Sequence, residues 1–194
     1  MKIVVGVTGA TGARHAVRLL EALAARPEVE THLVLSEWAA ANLLSETGMT
    51  PESLTPLVER VYSNSDLAAP MASGSFVTDG MVVMPCSMRT LAAVASGSCD
   101  NLITRSADVC LKEGRRLVLC PRETPLSALH LENMLKLARL GVRIVPPMPA
   151  YYTNPATIED LVDHHVMKVL DQFGLQSPDD RRWNGIENPR SHQP

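Results

Sequence analysis

Long apolar runs are missing from this sequence. No stretch approaches the ~18 consecutive apolar residues of a membrane span, so no spanning helix is expected. The opening Met1-Lys2-Ile3-Val4-Val5-Gly6-Val7-Thr8-Gly9 has too short an apolar stretch for a signal peptide and runs straight into a turn. Positive charge is not concentrated either. Lys and Arg number 18 against 21 Asp and Glu, giving a net charge of −3 without a long basic run. That balance speaks against a nucleic-acid or anionic-membrane surface. Aromatic residues make up only 4% of the 194 residues, so the core must be built from Val, Leu, Ile, Ala and Met. The four cysteines, Cys86, Cys99, Cys110 and Cys120, form no CxxC pair and have no matching His spacing. Free thiols in a reducing cytoplasm are expected, rather than a metal site or a disulfide framework. What is present is a chain 45% hydrophobic and 20% charged, enough for one sizeable core.

Short β-branched runs alternate with stretches of helical period. Ile3–Val7, Thr31–Leu35, Gly80–Met84, Leu117–Cys120 and Val142–Val145 are unbroken apolar runs, the pattern of strands buried on both faces. Between them the spacing predicts helices over Gly12–Ala25, Glu37–Ser45, Met88–Ala95, Ser106–Glu113, Ser127–Leu140 and Ile158–Phe173. Such alternation implies a three-layer α/β/α fold with a parallel sheet, flavodoxin-like or Rossmann-like. Residues 1–175 read as one domain. Residues 176–194, rich in Pro, Asn and Arg, read as a C-terminal arm, partly disordered at its end.

In sheets of this kind ligands sit beyond the carboxyl ends of the strands, which singles out the segments that follow each strand. Gly6-Val7-Thr8-Gly9-Ala10-Thr11-Gly12 is a glycine-rich turn between a strand and a helix, suited to a phosphate; the plainer reading has Thr11 as a helix cap. The short-chain dehydrogenase pattern fits poorly, since His15 stands where another glycine is wanted and no YxxxK pair exists. His15 itself reads as an exposed or half-buried helix residue. Pro85-Cys86-Ser87-Met88-Arg89-Thr90 offers hydroxyls to cap a helix or bind a ligand. Arg105 and Lys112 are two helical turns apart and project alike if their helix starts early. Arg122 and Glu123 could pair with each other or serve a ligand. Glu46 closes a helix, where a carboxylate is usually solvated. Tyr151-Tyr152 follows Pro146-Pro147-Met148-Pro149-Ala150 and suggests a ligand contact. Together these groups suit an anionic, phosphorylated ligand.

The same segments, in this order, resemble the UbiX-type flavin prenyltransferases, over Lys2 to about Gly185. The matching stretches include Thr8-Gly9-Ala10-Thr11-Gly12, Ala72-Ser73-Gly74-Ser75, Pro85-Cys86-Ser87, Asp100-Asn101-Leu102, Leu111-Lys112-Glu113, Pro121-Arg122-Glu123 and His130-Leu131-Glu132-Asn133-Met134-Leu135. Ser73-Gly74-Ser75-Phe76, Asp171-Gln172-Phe173-Gly174 and Arg182-Trp183-Asn184-Gly185 are similar to the B subunits of bacterial phenolic (hydroxyarylic) acid decarboxylases. The resemblance implies alkylation of reduced FMN by dimethylallyl phosphate, at N5 and then at C6, with no metal. Phosphate is released, and the prenylated FMN passes to a UbiD-type decarboxylase. It implies that Gly9, Ala10, Thr11, Ser36, Ser87, Met88, Arg89, Thr90 and Arg122 hold FMN. Arg105, Lys112, Glu123, Tyr152, Lys168 and Trp183 would surround the prenyl phosphate, and Thr11, Glu46, Lys112 and Glu123 would assist the chemistry. A dodecamer with sites at subunit junctions is implied as well. Two departures stand out: Thr11 replaces a serine common in the family, and Lys168 an arginine, losing the bidentate fork. Two alternatives remain beside this reading, an FMN-binding accessory subunit without chemistry of its own and an FMN-dependent cysteine decarboxylase.

Overall fold

The structure is a computed structural model that describes residues 1–176 together with 182, 183 and 185. The end of the expected C-terminal arm lies outside the described residues. Among the described residues six parallel strands form one sheet: β1 (Lys2–Val7), β2 (Glu30–Leu35), β3 (Arg60–Ser63), β4 (Gly80–Cys86), β5 (Arg116–Pro121) and β6 (Arg143–Ile144). Their order is β3-β2-β1-β4-β5-β6, that of the doubly wound nucleotide-binding folds. Six α-helices of the described residues cover the sheet: α1 (Ala13–Ala24), α2 (Glu37–Thr47), α3 (Met88–Ser96), α4 (Leu102–Lys112), α5 (Ala128–Arg139) and α6 (Ile158–Asp171).

The unbroken apolar runs have a simple cause. Ile3, Val5 and Val7 of β1 point into one core with Leu19, Leu20 and Leu23 of α1 and Val162, Val166 and Val169 of α6. Val4, between them in sequence, points into the other core with Leu91 of α3, Ile103 and Ala107 of α4 and Leu137 of α5. Both faces of the sheet are therefore dry, and each alternate residue needs to be apolar. Three buried thiols belong to these cores, Cys86, Cys110 and Cys120. Burial pushes the thiols of Cys86 and Cys110 up to about 12.

The expected elements are present, with shifts at their ends. Helix α4 starts at Leu102 instead of Ser106 because Asn101 caps it, its side chain accepting from the Thr104 N–H at 3.1 Å. Strand β6 keeps only Arg143 and Ile144 of the four residues expected. Strand β3 and the two 3-10 turns at Pro51–Leu57 and Pro70–Ala72 were not legible as elements. Among the described residues no helix is long and apolar enough to cross a membrane.

Candidate functional site

The strand order reverses between β1 and β4, since α1 packs on one face of the sheet and α3 on the other. Thr8 knits this switch point together. Its buried hydroxyl donates to the Pro85 carbonyl at 2.8 Å and accepts from the Ser87 N–H at 2.8 Å. Three helix N-termini open onto the crevice. Ser36 caps α2 by accepting from the Ala39 N–H at 3.1 Å, and Ser87 caps α3 by accepting from the Thr90 N–H at 3.3 Å. The third, that of α1, departs from expectation: its N-cap is Gly12, at φ 118°, with no side-chain cap bond, so Thr11 is left exposed at the mouth. An L side chain rarely adopts that φ, which accounts for the glycine.

Glu46 covers the start of α1. Its carboxylate accepts from the N–H groups of Gly12 (3.0 Å) and Ala13 (2.8 Å), two donors that a helix start leaves open. The closing Glu of α2 is therefore half-buried and engaged rather than solvated. Asn42, which sequence reasoning passed over, donates from Nδ2 to the Ala10 carbonyl at 3.1 Å and fixes α2 against the turn. Gly9 is where that contact is tightest: a Cβ there would stand 2.5 Å from the Cβ of Trp38.

Beyond Thr11 the crevice deepens into a cavity of about 380 Å³. Arg122 and Thr11 bring polar groups to it, and Met84, Pro85, Pro147, Leu161 and Val162 give it an apolar wall. Arg122 and Glu123, both exposed, form no ion pair; Glu123 instead accepts from the Thr124 N–H at 3.0 Å. An unpaired guanidinium beside an apolar cavity suits an anion carrying a hydrocarbon or a flat ring.

The structure thus brings Gly9, Ala10, Thr11, Ser36, Glu46, Ser87, Met88, Arg89, Thr90, Arg122 and Glu123 to the carboxyl edge of the sheet. Lys112 and Lys168 lie away from it, and Arg105, Tyr152 and Trp183 are engaged by other groups. Arg105 and Lys112 share α4, as the early start allows, but α4 runs away from this edge. Lys112 closes α4 just before β5, whose first residue, Arg116, pairs with Gly80 at the start of β4. The length of β5, about 20 Å at the usual rise per residue, separates it from Arg122. Arg105 donates from Nε to the Ala72 carbonyl at 2.9 Å and from Nη1 to Asp108 at 2.7 Å. Lys112 pairs with Glu113, holding the Glu113 carboxyl below its usual range. Lys168 lies about 15 Å down α6 from Ile158, with Nζ 3.5 Å from Asp171. Tyr152 donates to or accepts from His164 Nε2 at 2.8 Å and meets the Trp183 ring edge-on, centroids 5.6 Å apart.

Two histidines at the cavity were not read as a pair from the sequence, because they lie on different helices. His15 of α1 and His165 of α6 both line it, with ring centroids 5.1 Å apart and planes at 74°. Burial lowers both, His165 to about 4. Among the described residues no three His, Cys, Asp or Glu side chains gather as a metal site would require.

Comparison with known proteins follows the same lines. The flavoprotein family pattern matches residues 1–170. A probable UbiX-like flavin prenyltransferase of a Streptomyces species is 56% identical over 191 residues, 98% of this chain and 96% of that one. The dodecameric FMN-dependent UbiX-like decarboxylase of Escherichia coli O157:H7 is similar in structure at a TM-score of 0.94 and 56% identity, over 95% of this chain and 100% of its own. AnUbiX (PadA1), solved with FMN and dimethylallyl pyrophosphate, is similar at 0.93 and 54% identity, over 96% and 98%.

Proposed function

The chain belongs to the flavoprotein family and, within it, to the UbiX-like flavin prenyltransferases, and from that premise we propose how its residues divide the work. The enzyme joins the dimethylallyl group of dimethylallyl phosphate to N5 and C6 of reduced FMN and releases phosphate. One observation carries the assignment of residues: three helix N-termini converge on a crevice that runs, past Thr11 and Arg122, into an apolar cavity. The capped starts of α2 and α3, with Ser36, Ser87 and Thr90, would take the FMN phosphate through N–H groups and hydroxyls. Gly9, Ala10, Thr11, Met88, Arg89 and Arg122 would line the rest of the cofactor, where only a glycine at position 9 leaves room beside Trp38.

The chemistry needs charge stabilisation at the departing phosphate and a group to handle protons at the flavin. Arg122 would meet the phosphate with fixed positive charge, worth most where water is excluded. Glu46, anchored by the N–H groups of Gly12 and Ala13, and the Thr11 hydroxyl would face the reacting flavin edge, with Glu123 beside them. Within one chain Arg105 is held by Ala72 and Asp108 and Tyr152 by His164 and Trp183, while Lys112 and Lys168 lie too far away to reach that edge. Their assignment to the prenyl phosphate therefore rests on a site completed by neighbouring copies. The dodecameric E. coli relative supports such an assembly, and a dodecamer is the form we assign.

The product would pass to a UbiD-type decarboxylase acting on an aromatic acid. We place the reaction in the cytoplasm, a reducing compartment that suits unpaired thiols and a reduced flavin. A coupled assay tests this reading. A UbiD-type apo-decarboxylase is incubated without oxygen with this protein, reduced FMN and dimethylallyl phosphate, and aromatic acid decarboxylation is followed. Activity that requires all three additions is expected. Activity restored equally without dimethylallyl phosphate would assign the chain to flavin delivery alone.

A further inference from the structure

The mechanism above leaves His15 and His165 unused, although both line the cavity beside Thr11 and Arg122. His165 is 4% exposed, and its Nε2 lies 2.9 Å from the Val145 carbonyl. A carbonyl only accepts, so Nε2 carries the hydrogen and Nδ1 of the neutral ring is a bare acceptor. That Nδ1 is buried with no hydrogen-bond partner in the protein. The ring of His15 stands edge-to-face against it. His15 Nδ1 also lies near Gly12, 3.6 Å from where a Cβ would stand there. Gly12 is the residue whose N–H holds Glu46.

Val145 fixes the tautomer of His165. The ring of His15 packs against that fixed imidazole, and its Nδ1 lies beside the start of α1. We propose that His15 is a proton acceptor for the ring-closing step at flavin C6, with His165 as the residue that positions it. The inference rests on the prenyltransferase reading.

The balance is as follows. The C–O bond of dimethylallyl phosphate breaks with its electron pair leaving on phosphate, and bonds form to N5 and C6. Two protons leave the flavin, from N5 and from C6. One ends on the prenyl double bond as its second ring bond forms, and the other ends on the departing phosphate. His15 Nδ1 holds the C6 proton in transit, and nothing is oxidised or reduced. The groups around His15 are Glu46 from α2, His165 from α6, and Cys120 and Arg122 at the end of β5, which share its cavity. Glu46 is the anion that favours a transient imidazolium, while desolvation opposes it and keeps the resting ring neutral.

The test is the single-turnover rate of FMN prenylation between pH 5 and 8 for the wild-type protein, His15→Asn, His15→Ala and His165→Phe. The wild-type rate should fall as pH drops below the ordinary imidazole range, where His15 gains a proton before it can accept one. His15→Asn should be slower by about 10- to 100-fold at pH 7 and lose that acid limb, with FMN affinity held within threefold. Free imidazole should speed His15→Ala, and His165→Phe should show a smaller loss. A His15→Asn rate within twofold of wild type across the range would overturn the proposal. So would a His15→Ala variant that binds FMN and ignores imidazole, or loss of FMN binding in both His15 variants, which would make the role structural. Wild-type protein that forms no prenylated FMN would instead overturn the reading beneath it.

Discussion

Replacing Gly9 by alanine should separate the flavin crevice from the rest of the fold. The added Cβ would stand 2.5 Å from the Trp38 Cβ and 3.6 Å from the Trp38 carbonyl carbon. Carbon atoms in contact keep about 3.5–4.0 Å apart, so the pair must open by about 1 Å. No rotamer of Trp38 relieves this, because its Cβ moves only with the α2 backbone. The turn and α2 are also tied by the Asn42 bond to Ala10 and by the Glu46 bonds to Gly12 and Ala13. Forcing them apart should cost about 1–3 kcal/mol. For a chain of this size each kcal/mol lowers Tm by about 2–4 °C, so Gly9→Ala should melt roughly 2–12 °C below wild type. Calorimetry of the apo-protein reads that shift, and FMN titration should show at least a tenfold weaker complex. The partner variants sharpen the test. Trp38→Ala keeps the offending Cβ and should leave the double variant as damaged as Gly9→Ala. Trp38→Gly removes it and should recover FMN binding, less about 1 kcal/mol for glycine in a helix. Unchanged melting and FMN affinity in Gly9→Ala, or equal rescue by the two Trp38 variants, would refute the steric reasoning.

Other consequences can be measured directly. His165 is held near 4 against an ordinary 6.5, so the unfolded chain binds the extra proton first. Stability should therefore be full above pH 6.5 and fall by about 3 kcal/mol on acidification to pH 4; denaturant melts at several pH values read it, and His165→Phe should flatten that slope. Glu46→Gln keeps shape but loses the carboxylate, and should lower the prenylation rate by at least tenfold while FMN titration stays within a few-fold of wild type. Lys112→Ala and Arg122→Ala chains, each inactive alone, should regain part of the wild-type rate when unfolded together and reassembled, since some junctions would then hold both residues. No recovery in mixed assemblies of normal size would place the two residues in unshared roles.

The layered fold was legible because both faces of the sheet are buried, which forces unbroken apolar strands such as Ile3–Val7 and one-sided helices such as α6. Strand β3 was not, for a physical reason. It sits at the sheet edge and contributes only Tyr62 as a buried residue among Arg60, Val61 and Ser63, so its sequence carries little apolar signal. Short 3-10 turns leave less. The crevice residues could be read because glycine and capping serines follow strands at fixed spacing. What sequence could not give was distance between elements. Lys112 and Arg122 are ten residues apart in sequence, yet a strand length divides them in space. His15 and His165 are far apart in sequence and meet at one cavity. Glu46 reads as a solvated helix end until α2 is placed over the start of α1.

The most direct measurement is the mass of the flavin extracted after anaerobic incubation with reduced FMN and dimethylallyl phosphate. A cofactor heavier by one five-carbon prenyl unit is predicted for the wild-type protein, with the gain lost or strongly slowed in Glu46→Gln and Lys112→Ala. Recovery of bound FMN at its original mass from the wild-type protein would contradict the assignment.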